Sequence, residues 1–256
     1  MDNYRKFAVS LALKAGGIMK KNFKTGMAKE WKEDNSPLTA TDLAINDLII
    51  SEVRKQFSDH GILAEEGSYF HGEDCVWVCD PVDGTNPFSH GYPLFTFSLA
   101  LVENGYPVLG LLYDPILDRL IVAESGNGAL LNDKPIRVSE SSSFTRSLVA
   151  FEINDPHFNK VRDGLIKEGC LLTTFACISY ASLLVAVGEF RAAIWYGKSP
   201  WDGAAVQIIV EEAGGVCTNI EGYPQKYDRE IKGIVASNKL IHPKLIEMIK
   251  EGVIIS

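Results

Sequence analysis

Residues 79–88 read CDPVDGTNPF, and they set Asp80 and Asp83 three positions apart at the end of the apolar run Val76–Cys79. Two carboxylates held this close repel each other unless protons or cations come between them. A strand that ends in a turn aims both carboxylates, and the Val82 carbonyl between them, into one space. Pro81 stiffens the backbone there, and Gly84 permits a tight turn. Oxygen ligands of this kind suit hard divalent cations such as Mg²⁺, which keep positions open for water and phosphate. Gly84-Thr85-Asn86 reads as the start of a short helix whose free N–H groups suit an anion. Ten residues can therefore supply metal ligands and a phosphate cradle together. The plain alternative is an Asp-Pro/Asp-Gly surface turn; the apolar strand in front of it argues against that.

Two more acidic positions extend the pattern. Glu65-Glu66 follows the apolar run Gly61–Ala64, and Asp202 follows Trp201 in KSPWDGAAVQIIVEEAGG. If the segments ending at Glu65 and Asp80 are neighbouring strands, Glu65 reaches the same space. Read alone, Glu65 is a solvated strand end and Asp202 a helix N-cap or first-turn aspartate. Asp42 in TATD either belongs to the site or caps its own helix, and Lys32 either approaches the site or is a solvated charge.

The elements that must hold these residues follow from periodicity. Tyr4–Phe23 has helical spacing, KEDNSPLTATD (32–42) is a polar loop broken by Pro37, and Thr39 or Thr41 caps a second helix over residues 42–57. A strand over 75–80 leads into the DPVDGT turn. Strands Thr96–Glu103 and Val108–Tyr113 flank the hairpin signal Asn104-Gly105. Leu120–Glu124 and Ala129–Leu131 flank SGNG, a second turn. The Ser-rich connector 139–147 marks a boundary near residue 145, between an N-terminal α+β part (1–145) and a C-terminal α/β part (146–256). Beyond it the expected order is strand 148–151, helix 157–168, strand 170–174, helix 178–188, strand 191–195, helix 202–213, strands 215–218 and 233–236, and helix 242–251.

Composition bounds the function. With 46% hydrophobic and 23% charged residues the chain is globular, and its net charge of −8 without a basic run argues against nucleic-acid binding. An acidic protein that handles anionic phosphates needs cations to bring the two together. No apolar run is long enough to cross a membrane, and the N-terminus lacks the basic region of a signal peptide. The five cysteines are odd in number and form no CxxC pair, as expected of buried, reduced thiols in a cytoplasmic protein. Cys75, Trp77 and Cys79 fall on one strand face, which suits packing. Gly126-Asn127-Gly128 lacks the third glycine of a dinucleotide fingerprint and reads as a hairpin turn.

The Glu65-Glu66 pair, DPVDGT and the late WDGAA…EEAGG together resemble the inositol monophosphatase family. This is the wider group of Mg²⁺-dependent, lithium-sensitive phosphatases that includes fructose-1,6-bisphosphatases. The likeness spans almost the whole chain in the family's order. It implies a layered αβαβα sandwich, an α/β fold with alternating helix and sheet layers, whose two subdomains meet at the metal site. It also implies hydrolysis of a small phosphorylated metabolite by metal-activated water, and a homodimer. Carried over residue by residue, Asp80 would bridge two metals. Glu65 and the Val82 carbonyl would hold the first, Asp83 and Asp202 the second, and a third, weaker Mg²⁺ would lie near Glu65. Thr85, paired with Asp42, would activate water beside Glu65, and the Gly84 and Thr85 amides would hold phosphate.

The text departs from the family in two places. Pro87 stands where DGT-x-N-F has its Asn; proline is tolerated in a first helical turn, but the Asn side-chain hydrogen bond is lost. Inositol-preferring members carry a glutamate seven residues before the WD aspartate, where this chain has Trp195. Their Gly-Thr/Ser-Ala stretch aligns with Ala176-Cys177-Ile178. Trp195 and Cys177 are thus the candidate substrate-side residues, with Trp195 either stacking on substrate or packing in the core. An aromatic face in place of a hydroxyl acceptor counts against inositol phosphate. It leaves histidinol phosphate, fructose bisphosphate, a nucleotide 3′-phosphate or broad specificity open. An aspartyl-phosphate phosphatase would need D-x-D-G-T, with one residue between the aspartates rather than two. A non-catalytic metal- or phosphosugar-binding regulator would be suggested by a missing ligand, and every expected position is present.

Overall fold

The computed structural model describes residues 1–33, 35–68 and 74–253. Helix α1 (Asp2–Asn22) buries Phe7, Leu11, Ala15 and Met19, one every three to four residues. A two-residue ladder, β1 (Glu30–Trp31) with β2 (Pro37–Leu38), interrupts what reads in sequence as plain loop. Helix α2 (Ala40–Gln56) starts two residues earlier than the helix read from sequence. Thr39 is its N-cap, and the Asp42 side chain returns the bond to the Thr39 backbone, a reciprocal capping box.

These helices cover one face of a seven-stranded sheet. Its order is β3 (Gly61–Ala64), β4 (Cys75–Asp83), β5 (Thr96–Glu103), β6 (Tyr106–Asp114), β7 (Arg119–Glu124), β8 (Gly128–Leu131) and β9 (Lys134–Pro135), with the short helix α3 (Thr85–Ser89) between β4 and β5. Strands β3 and β4 are parallel and the rest antiparallel. Alternation sends Trp77, Cys79, Leu99 and Leu111 toward α1 and α2, and Val76, Val78, Ala100 and Leu112 to the opposite face. Asn104 and Gly105 both have positive φ, as the hairpin signal requires.

The second half supplies β10 (Leu148–Glu152), α4 (Asn159–Lys167), β11 (Leu171–Thr173), α5 (Ile178–Ala186), β12 (Ala192–Trp195), α6 (Ala204–Glu212), β13 (Val216–Thr218), β14 (Ile234–Ser237) and α7 (His242–Gly252). The strands form a mixed sheet in the order β11-β10-β12-β14-β13. Helices α5 and α6 lie between the two sheets and are buried almost all round, as their near-continuous apolar sequences demand. Gly110 on β6 lets α6 come this close: a Cβ there would lie 2.3 Å from Ile208 Cγ2. Helices α4 and α7 cover the outer face of the second sheet. The result is five layers, αβαβα, the arrangement expected from sequence.

Two boundaries differ from the sequence reading in ways that matter for the site. Strand β4 does not stop at Asp80 but runs on to Asp83. Asp80 pairs with Ser98 and Asp83 with Thr96, so β4 carries one extra residue against β5, a bulge that absorbs the donor-less Pro81. The helix expected over 202–213 is split: Pro200–Asp202 is a single 3₁₀ turn, and α6 begins only after Gly203.

Candidate active site

The bulge in β4 and the 3₁₀ turn before α6 meet at the edge of the middle layer. There Asp80, Asp83 and Asp202 each offer a carboxylate oxygen, all within 4.8 Å of one another. Asp80 and Asp83 are 3% and 6% exposed. Asp80 Oδ1 accepts from the Val82 amide at 2.9 Å, which folds the carboxylate back over the bulge. Asp83 Oδ2 accepts from the Ser179 amide at 2.6 Å, in the first turn of α5. Asp202 makes no side-chain cap to α6, so its sequence alternative as an N-cap is not what the structure shows.

Burial and mutual repulsion act in one direction on these groups. Desolvation, followed by the charges of Glu65, Asp83 and Asp202, pushes Asp80 well above the usual carboxylate range. Asp202 is pushed well up by burial and then by Asp83 and Glu65. Asp83 is raised by burial even against its hydrogen bonds from α5. Buried carboxylates that raise one another's proton affinity are a donor set lacking counter-charge, and hard divalent cations fit such all-oxygen clusters.

Strand pairing sets Glu65 beside the cluster, outside the group of three whose oxygens converge. Ala64 lies beside Cys79 in the parallel β3–β4 pair, and the Glu65 amide donates to the Cys79 carbonyl at 3.3 Å. Its carboxylate takes a hydrogen bond from Lys32 Nζ at 2.7 Å, and the same ammonium contacts Glu66. Lys32 is therefore no solvated charge: it is brought to the acidic cluster by the turn between β1 and β2. Burial opposes its charge, but the bonds to Glu65 and Glu66 win and raise its pKa. Glu65 itself is raised by burial, with Lys32 opposing.

Past the bulge, Thr85 Oγ1 lies 3.2 Å from Asp42 Oδ1 and 2.9 Å from the Val82 carbonyl. Asp42 is wholly buried and combines both sequence alternatives: it closes the capping box through Thr39 and faces Thr85. Burial raises its pKa against those hydrogen bonds. Gly84 has φ of 89°, and a Cβ there would lie 2.7 Å from the Leu94 carbonyl and 2.9 Å from Cys177 Cβ. Only glycine meets both demands. Pro87 sits in the first turn of α3, where its missing N–H would have no intrahelical partner.

The two substrate-side candidates are placed differently. Cys177 is buried directly behind Gly84, with its thiol donating to the Asp83 carbonyl at 3.3 Å and accepting from the Tyr180 amide as N-cap of α5. Trp195 ends β12 beside Glu152 and Ile234, half-buried against the core, and its ring folds over Gly197. Glu152 is a residue that sequence reasoning missed. It ends β10, and burial, with the Phe175 and Ala176 amides opposing and the Asp83 charge assisting, brings its pKa up to about 7. The signal was available: Glu152, like Glu65, is an acid at the end of an apolar strand.

The comparisons with known proteins bear on this arrangement as a whole. A model of the inositol monophosphatase family matches residues 1–253. The chain belongs to that family. It is 35% identical to a fructose-1,6-bisphosphatase/inositol-1-monophosphatase of Thermotoga maritima, over 84% of this chain and 83% of the relative. It is also 35% identical to a histidinol-phosphatase of Chlorobaculum parvum, over 96% of both chains. The structure of the Thermotoga maritima IMPase is similar with a TM-score of 0.89 at 33% identity, covering 98% of each chain. The suhB extragenic suppressor protein of Bartonella henselae gives 0.91 at 28% identity, covering 98% of this chain and all of its own. As a family member the chain is a phosphatase, a hydrolase of phosphoric monoesters. Among the described residues no helix is long and apolar enough to cross a membrane.

Proposed function

We propose that this phosphatase hydrolyses a small phosphate monoester in a Mg²⁺-dependent reaction, with Glu65, Asp80, the Val82 carbonyl, Asp83 and Asp202 as metal ligands. The observation that carries the reading is the convergence within 4.8 Å of two buried carboxylates from β4 and a half-buried one from the 3₁₀ turn. When bound, divalent cations would neutralise phosphate charge and lower the pKa of a coordinated water. The chain's own residues do the positioning. Thr85 Oγ1 donates toward Asp42 Oδ1, which leaves its lone pairs free to accept from a water and orient it. Asp42, held in place by the Thr39 amide, is the acceptor to which Thr85 passes its own proton as Thr85 Oγ1 takes one from that water. The Gly84 and Thr85 amides, at the start of α3, would hold the phosphate. Phosphoryl transfer asks mainly for positioning and charge neutralisation, and both are supplied here by groups from the two halves of the chain, which we read as subdomains divided near residue 145.

The leaving group is narrowed by one position. Trp195 stands where inositol-preferring members carry an acceptor glutamate, and we propose that inositol monophosphate is not the best substrate. Similarity extends about equally to fructose-1,6-bisphosphatase/inositol-1-monophosphatase and to histidinol-phosphatase relatives. The test is phosphate release from inositol 1-phosphate, fructose 1,6-bisphosphate, histidinol phosphate, 3′-phosphoadenosine 5′-phosphate and p-nitrophenyl phosphate, each with Mg²⁺ or EDTA. Mg²⁺-dependent release with a favourite other than inositol 1-phosphate is expected. Release undiminished by EDTA would refute the metal reading, and a clear preference for inositol 1-phosphate would refute the Trp195 argument.

A further inference from the structure

Glu152 makes its bonds away from its own sheet. One carboxylate oxygen accepts from the Phe175 amide at 2.7 Å and the other from the Ala176 amide at 2.8 Å. Hydrogen bonds onto a carboxylate are the strong, short kind, and two on consecutive amides fix both peptide planes that lead into Ala176. Ala176 has φ of 54°, a left-handed conformation disfavoured for any residue with a Cβ. That turn delivers Cys177 in an extended conformation, with φ of −157°, as the N-cap of α5. The start of α5 then grips Asp83 twice, through the Cys177 thiol on its carbonyl and the Ser179 amide on its carboxylate. Glu152 also lines a cavity of about 540 Å³ with Asn86, the residue after Thr85, so the same turn forms one wall of the space beside the cradle.

We propose that Glu152 is a positioning residue for Asp83: it holds the strained Phe175–Cys177 turn, and through that turn it sets where the N-terminus of α5 presents its amide to the Asp83 carboxylate. The proposal rests on reading Asp83 as a metal ligand. The hydrogen bonds of Glu152 go to the turn and not to the acidic cluster, so its hold on the position of Asp83 runs through the turn. Removing it leaves Ala176 in a conformation with nothing to hold it, and the Asp83 carboxylate loses a fixed orientation before any cation arrives.

The test uses the full chain and Mn²⁺ alone as probe, a hard dication standing for Mg²⁺, with free ion read by electron paramagnetic resonance. Loss of a hydrogen-bonding partner behind a metal ligand lowers metal affinity by about 10-fold or more. Glu152→Ala is expected to weaken Mn²⁺ binding by about that factor and to speed hydrogen exchange over residues 174–180. Glu152→Gln keeps one acceptor oxygen and falls between it and wild type; it also serves if the alanine variant does not fold. Adding Ala176→Gly to Glu152→Ala restores part of the lost affinity, because glycine takes the left-handed turn unaided. Asp83→Asn is the control and abolishes the tight binding. Wild-type affinity in both Glu152 variants, with binding lost in Asp83→Asn, overturns the proposal and leaves the metal site standing. Weakened binding with unchanged exchange over 174–180 overturns it as well. If wild type and Asp83→Asn bind Mn²⁺ alike, the metal reading of Asp83 falls and takes the proposal with it.

Discussion

Replacing Asp202 by Asn should stabilise the metal-free protein while removing its response to Mg²⁺. Two ionised carboxylates whose oxygens lie within 4.8 Å of each other repel by about 3.5 kcal/mol or more at an effective dielectric of about 20. Asp202 takes part in two such pairs, with Asp80 and with Asp83. The cluster sheds part of this cost by taking up protons, as the raised pKa values of Asp80 and Asp202 show. What remains for the substitution to relieve is about 1–3 kcal/mol. Asparagine keeps the shape and can still accept a hydrogen bond, so little packing is lost. In EDTA the variant should melt above wild type, by about 2–4 °C for each kcal/mol at this chain length. Saturating Mg²⁺ should reverse the order, because wild type at a thousandfold excess over Kd gains about 4.1 kcal/mol and the variant gains almost none. Turnover should be lost with the ligand. The assay is thermal unfolding of both proteins in EDTA and in Mg²⁺. A variant that melts below wild type in EDTA, or that keeps the full Mg²⁺ shift, would refute the reasoning, since most substitutions destabilise and only relief of repulsion predicts the opposite sign.

Gly84→Ala should cost about 2–5 kcal/mol, from a left-handed alanine and from overpacking against Leu94 and Cys177; a wild-type urea midpoint would contradict this. Thr85→Ala should lower kcat by about 10²–10⁴ with folding intact by circular dichroism, since it removes the hydroxyl between Asp42 and Val82; near wild-type turnover would remove Thr85 from the water-binding role. The pH dependence of the metal-free protein should be opposite to that of ordinary salt-bridged carboxylates. Asp42, Glu65, Asp80, Asp83 and Asp202 are all raised in the folded state, so the folded chain binds more protons than the unfolded one. Stability is then greatest below the ordinary carboxylate pKa and declines as pH climbs from there through the raised values. Denaturant titrations in EDTA between pH 4.5 and 7.5 should show that decline, and Mg²⁺ should flatten it; a rise across the window would contradict the assignment.

Much of the local structure was readable in the chain because its causes are local. The helical spacing of α1 and α2, the Asn104-Gly105 turn and the alternating strands β5 and β6 need only a few residues of context. The acidic character of Asp80 and Asp83 and the turn at Gly84 were readable for the same reason: residue type and spacing within one turn already carry the cation and anion-cradle reading proposed above. The bulge was not readable, because it exists only in register against β5, where one extra residue between Asp80 and Asp83 lets the strand continue past Pro81.

The residue types of the site, its acidic character and its family are thus properties of the sequence by itself. The tertiary structure alone decided which of those residues meet. Lys32 reaches Glu65 only because β1 and β2 pair, and Asp202 reaches Asp80 only because α5 and α6 are sandwiched between two sheets. The role of Glu152 stayed hidden because its partners are backbone amides of another segment, and no side-chain pattern records where a backbone amide points. Carboxylate repulsion, ligand geometry and the anchoring of Asp83 depend on distances of a few ångströms between segments far apart in the chain, and only packing sets those distances.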